Sequence, residues 1–159
     1  MIYGVGTDLI ELQRVERVLT RYGERFAKRI LCESEMKRFR AHRKPVAYLA
    51  KRFAAKEAFS KALGTGIHAP ANWHGVWVVN LKSGKPVLEF SSPLKAFLKE
   101  RKIRSSHLSL TDEREIASAT VILECDDRRF RSVRSCSIRP ASRSPTTTAS
   151  ACCTGRRAG

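Results

Sequence analysis

Between Pro45 and Leu63 the sequence predicts a helix in which Val46, Leu49, Ala50, Phe53 and Ala54 form one apolar stripe. Pro45 suits its first turn and Gly64 its C-terminal stop. Glu57 falls in the middle of that stripe, and Lys61 follows one turn later on its edge. A carboxylate aimed at a core is costly unless a base, a hydrogen-bond network or a metal ion meets it. The fold must therefore bring a partner to Glu57.

Glu57 and Lys61 stand i, i+4 with the acid first, the ordinary arrangement of a helix-surface ion pair. On an apolar stripe the same pair becomes a buried one, a less common object. A hard cation held by Glu57 and Asp8, with phosphate oxygens completing its shell, explains the placement better. Ile2 to Thr7 reads as a strand that puts Gly4, Gly6 and Asp8 on one face, bare enough for close approach of a ligand or another backbone. Thr7 or Asp8 is expected to cap a helix to about Tyr22, with Leu12, Val15, Leu19 and Tyr22 facing inward. Arg14, Arg17 and Arg21 line its opposite face. A run of one sign suits an acidic helix or phosphates, although such stripes are usually just solvated.

A short helix is expected near Ser34 and another from Pro93 to about Lys102. Val76–Leu81 and Val87–Phe90 flank a Ser83-Gly84-Lys85-Pro86 turn, and His107–Thr111 pairs with Ile116–Leu123 across a second hairpin. The fold class expected is α+β, a largely antiparallel sheet packed on helices. Gly64-Thr65-Gly66 is explained by helix capping alone, and His107 and Ser109 share one face of a strand. No nucleophilic triad emerges.

Periodicity stops near Glu124, giving an expected domain of residues 1–124. The 125–159 tail is Ser/Thr-rich, carries eight Arg and two Asp, and reads as disordered. Without the tail the net charge falls from +16 to +10, still basic enough to favour an anionic partner. Cys32 alone lies inside the domain, which fits a reducing cytoplasm, and no stretch is long and apolar enough to suggest a membrane span.

Two segments, Ile2-Tyr3-Gly4-Val5-Gly6-Thr7-Asp8 and the run from Arg52-Phe53-Ala54-Ala55-Lys56-Glu57 through Lys61 to Gly64-Thr65-Gly66-Ile67, resemble the signatures of bacterial holo-[acyl-carrier-protein] synthases. Gly84-Lys85-Pro86 and His107-Leu108-Ser109-Leu110 match later motifs in order. The resemblance implies a small 4′-phosphopantetheinyl transferase that moves phosphopantetheine from coenzyme A to a serine of apo acyl carrier protein. It implies Mg²⁺ bound by Asp8 and Glu57, with Lys61 on phosphate. Gly64, Thr65, Gly66, Pro86, His107 and Ser109 would line the coenzyme A site, and Arg52 or Lys44 would meet its 3′-phosphate. It also implies a homotrimer with sites between subunits, and Arg14, Arg17 and Arg21 docked on the acidic helix of the carrier protein. Residue ten is Ile, so the Asp-x-Glu pair of larger transferases is absent, which favours the small trimeric class. Whether Glu57 takes the serine proton or only binds metal stays open on sequence. The rival readings are a small basic nucleic-acid-binding module, disfavoured because exposed aromatics are not interleaved with the basic residues, and a coenzyme A-binding regulator without turnover.

Overall fold

The structure, a computed structural model, describes residues 1–126. The expected disordered tail falls outside the described residues from position 127 onward. Ten elements follow in the order β1 (Ile2–Glu11), α1 (Leu12–Tyr22), α2 (Glu24–Ile30), α3 (Glu33–Ala41), α4 (Pro45–Leu63), β2 (Val76–Asn80), β3 (Pro86–Phe90), α5 (Ser92–Glu100), β4 (Ile103–Asp112) and β5 (Ile116–Cys125). The pairings are antiparallel, in a three-stranded sheet ordered β1-β5-β4 and a β2-β3 hairpin. The class is α+β, as the alternation of strand and helix periods indicated.

The long helix spans Pro45–Leu63 as expected, with Gly64 closing it in the left-handed region at φ 75°. Its environment differs from the single stripe. Ala47, Ala50, Ala54, Ala55, Ala58 and Ala62 are buried on one side of it and Leu49, Lys56, Phe59 and Leu63 on the other, so α4 runs through the centre with neighbours on most sides. The sheet lies against it through Gly4 and Gly6. A Cβ at Gly4 would collide with the carbonyl oxygen of Ala62, and one at Gly6 with that of Ala58. The two bare residues thus let a strand backbone touch a helix backbone. Leu108, Ala117, Ala119, Val121 and Leu123 complete this inner face.

Strand β1 is longer than the sequence suggested. Asp8 is not a helix cap; it sits within β1 opposite Ala119, and the cap of α1 is Glu11. Pairing with β5 continues through Leu9, Ile10 and Glu11, and that ladder outweighs the local capping preference of Thr7 or Asp8. In α1, Val15 is buried with Leu12 and Leu19 against the core, but Tyr22 is exposed and carries the Arg21 guanidinium 5.2 Å from its ring centre. Residue 125 belongs to the fold: the Cys125 amide donates to the Met1 carbonyl at 2.8 Å.

Candidate active site

Past the two glycines, Asp8 is the next residue on the inner face of β1, and the strand carries it to the last turns of α4. There Lys61 Nζ donates to Asp8 Oδ1 at 2.7 Å and to the Thr7 carbonyl at 2.9 Å. Lys61 therefore answers Asp8 across the strand–helix contact rather than forming a closed pair with Glu57 one turn away. Asp8 is shielded, its side chain 14% exposed, while Lys61 is half open to solvent. Glu57 is half-buried. Its carboxyl is pushed above the ordinary range, first by burial and then by the Asp8 charge, with Lys61 pulling the other way.

The placement of Glu57 at the middle of an apolar stripe is corrected here: it lies at the rim of the core. The fully buried charges are its neighbour Lys56 and, on α3, Glu35. Lys56 Nζ donates to Glu35 Oε2 and to the carbonyls of Ile30 and Trp73, each at 2.7 Å. Glu35 also accepts from the amides of Cys32 at 3.2 Å and Val78 at 3.0 Å. That network fastens α2, α3, α4 and β2 together and leaves Lys56 no free donor for chemistry.

The donor set at Asp8 and Glu57 suits a hard divalent cation. Two carboxylates interact there, one of them held reluctant to ionise, and a cation between them relieves both costs. Among the described residues no three His, Cys, Asp or Glu side chains gather as metal ligands. Mg²⁺ needs no such cage, because one or two carboxylates with substrate phosphates and water complete its shell.

A second feature is a basic cavity of about 600 Å³ between α3, α4 and the β2–β3 turn. Arg38, Lys51 and Arg52 supply its positive charge, Asp112 on the same lining pairs with Lys51 at 3.0 Å, and Tyr48 and Pro86 form part of its wall. Arg52 is 5% exposed, lies 4.5 Å over the Tyr48 ring, and donates through Nη2 to Asn80 Oδ1 at 3.2 Å. Two predicted residues, Arg52 and Pro86, thus share one cavity. Lys44 is exposed on the loop before α4, beside a neighbouring hollow formed with His42 and Arg43.

The remaining predicted residues are not gathered with these. Gly64 and Gly66 take positive φ values of 75° and 67° around Thr65, at the end of α4. His107 and Ser109 are exposed on the outer face of β4, while Leu108 between them is buried on the inner face that carries Asp8. His107 Nε2 lies 3.0 Å from Glu124 Oε2, which also accepts from Ser105 Oγ at 2.6 Å. Arg14, Arg17 and Arg21 are all exposed on α1. Sequence reasoning missed Glu35, Lys56, Tyr48 and Asn80. The available signal was that α4 is small or apolar all round, alanines on one side and Leu49, Phe59 and Leu63 on the other, since such a helix is central and its interior charges must be paired.

Residues 4–121 match the family model of the 4′-phosphopantetheinyl transferase superfamily. Over 124 residues the chain is 52% identical to the holo-[acyl-carrier-protein] synthase of Aromatoleum aromaticum, covering 78% of this chain and 98% of that one. Its structure is similar to the crystal structure of the Neisseria meningitidis synthase, with a TM-score of 0.76 and 43% identity over 78% of this chain and 99% of that one. It is also similar to the Bacillus anthracis synthase in complex with CoA (3′,5′-ADP), with a TM-score of 0.67 and 38% identity over 79% of this chain and 99% of that one. Family model, sequence identity and fold thus agree: the chain belongs to the holo-[acyl-carrier-protein] synthases of the 4′-phosphopantetheinyl transferase superfamily.

Proposed function

We propose that this chain transfers 4′-phosphopantetheine from coenzyme A to a serine hydroxyl of apo acyl carrier protein, releasing adenosine 3′,5′-bisphosphate, in the cytoplasm and in service of fatty acid synthesis. The observation that carries the reading is the Asp8, Glu57 and Lys61 cluster at the strand–helix contact, on a chain of this family. The serine oxygen bonds to the β-phosphorus as the bond to the bridging oxygen of the adenosine side breaks, and the nucleotide leaves with that oxygen's charge. Glu57 accepts the proton that the serine gives up. Lys61, half exposed and fixed by Asp8, offsets charge that develops on the leaving 5′-phosphate of the nucleotide. Mg²⁺, held by Asp8 and Glu57, supplies Lewis-acid stabilisation of the diphosphate when bound. Arg52 or Lys44 takes the 3′-phosphate, with Gly64, Thr65, Gly66 and Pro86 lining the donor site.

The reading includes a homotrimer with sites between subunits. Supporting it, the outer sheet face that carries His107 and Ser109 also presents Val5 at 55% exposure, in the same row as His107, and Leu9 at 63%. A neighbouring subunit would cover those apolar side chains and bring His107 and Ser109 to a site that one chain cannot build. The exposed Arg14, Arg17 and Arg21 stripe meets the acidic helix of the carrier protein. Glu57→Gln and Asp8→Asn test the site: both should lose transfer with circular dichroism unchanged, and full activity in either would refute the assignment.

A further inference from the structure

One side chain joins the basic cavity to the hairpin that closes it. Asn80, the last residue of β2, accepts from Arg52 Nη2 at 3.2 Å through Oδ1 and donates through Nδ2 to the Gly84 carbonyl at 3.1 Å. The turn it grips is already shaped by bonds from the Leu81 amide to the Lys85 carbonyl at 3.0 Å and from the Gly84 amide to the Leu81 carbonyl at 2.9 Å. Asn80 therefore ties Arg52 to a preformed turn that ends at Pro86.

Arg52 needs such a tie. Its Nε lies 3.9 Å from Glu35 Oε1, too far for a hydrogen bond, and is buried without a partner. Glu35 is occupied by Lys56 and two backbone amides, so it balances part of the Arg52 charge without fixing the guanidinium plane. The Tyr48 ring lies 4.5 Å from the guanidinium carbon and its hydroxyl makes no hydrogen bond, so it does not fix the rotation of the guanidinium. The amide of Asn80 fixes that rotation. Being neutral, it orients the guanidinium without cancelling its charge, which a carboxylate in the same place would do.

We infer that Asn80 is a positioning residue for the donor nucleotide: it holds Arg52 in the orientation that receives the coenzyme A 3′-phosphate and leaves its charge available to that anion. The inference rests on the proposed contact between Arg52 and that phosphate. Asn80 is exposed at a strand end, so the Asn80→Ala protein is expected to fold as the wild type does. The test measures affinity and steady-state kinetics with coenzyme A and with 3′-dephospho-coenzyme A for wild type, Asn80→Ala and Asn80→Asp. Wild type should prefer coenzyme A. Asn80→Ala should weaken coenzyme A about tenfold, the loss of one charge-assisted hydrogen bond, and leave the dephospho form within about twofold. Its kcat at saturating donor should stay near wild type, with the change confined to KM. Asn80→Asp should lose the preference as well, because its carboxylate neutralises Arg52. An Asn80→Ala protein that keeps the wild-type preference, or weakens both donors equally, overturns the inference and leaves Asn80 as a turn residue. A wild type with no preference overturns the Arg52 assignment itself, and the inference with it.

Discussion

Replacing Lys56 by methionine isolates the cost of the buried charge network. Methionine keeps most of the side-chain volume, so the change is electrostatic rather than a cavity. Lys56 is 0% exposed, and its ammonium is the donor to Glu35 Oε2, Ile30 O and Trp73 O at 2.7 Å each. The variant leaves two carbonyls without that donor and Glu35 without its closest cation. Removing one partner of a buried ion pair costs about 3–5 kcal/mol. Glu35 keeps the Cys32 and Val78 amides and the Arg52 charge at 3.9 Å, which argues against a larger loss, so we expect about 4 kcal/mol. That is a large share of the roughly 5–15 kcal/mol that holds a domain together. Urea unfolding at fixed protein concentration measures it, with an unchanged m-value as the check that the same surface is exposed. Adding Glu35→Gln to Lys56→Met removes the stranded charge and should recover about half of the loss. A single-variant loss below about 1 kcal/mol, or no recovery in the double variant, would show that the network is not an anchor of the fold.

Three further outcomes follow from the site. Gly6→Ala drives a Cβ into the Ala58 carbonyl, so melts should show a loss of about 1–3 kcal/mol or more, and transfer should slow as Asp8 is lifted off α4. The Glu57 carboxyl is raised from 4.5 in the fold, so its contribution to stability is full below pH 4.5 and is lost as pH rises through the folded value. Glu57→Gln lacks that dependence. Its thermal midpoint should match wild type below pH 4.5 and exceed it at neutral pH without metal, whereas added Mg²⁺ should raise the midpoint of wild type alone. Replacing Arg14, Arg17 and Arg21 together by alanine should raise KM for the carrier protein and flatten its salt dependence, with KM for coenzyme A unchanged.

The elements whose signals are local were legible in the sequence. Pro45 and Gly64 bound α4 where their backbone preferences put them, and the alternation around Leu108 placed His107 and Ser109 on one face. What depended on tertiary contact was not. Asp8 reads as a cap because nothing local reveals that β5 pairs past Thr7. The α2 segment (Glu24–Ile30) is too short for periodicity to declare. A one-stripe wheel centred the core on Glu57 because it left out Tyr48, Phe59 and Leu63, which are buried on another side of α4. The acid that is truly buried, Glu35, lies 21 residues before its partner Lys56, a spacing that helix geometry cannot connect. Asp8, Glu57 and Lys61 were nevertheless recognisable together, since the two bare glycines state which strand face can meet a helix.

The central claim is tested most directly by incubating the full chain with coenzyme A, Mg²⁺ and an apo acyl carrier protein and measuring the intact mass of the carrier. The account predicts a gain of one phosphopantetheine group on the acceptor serine, released adenosine 3′,5′-bisphosphate in equal amount, and neither product when a chelator is present. A carrier protein of unchanged mass in the presence of Mg²⁺, or a gain that survives chelation, would contradict it.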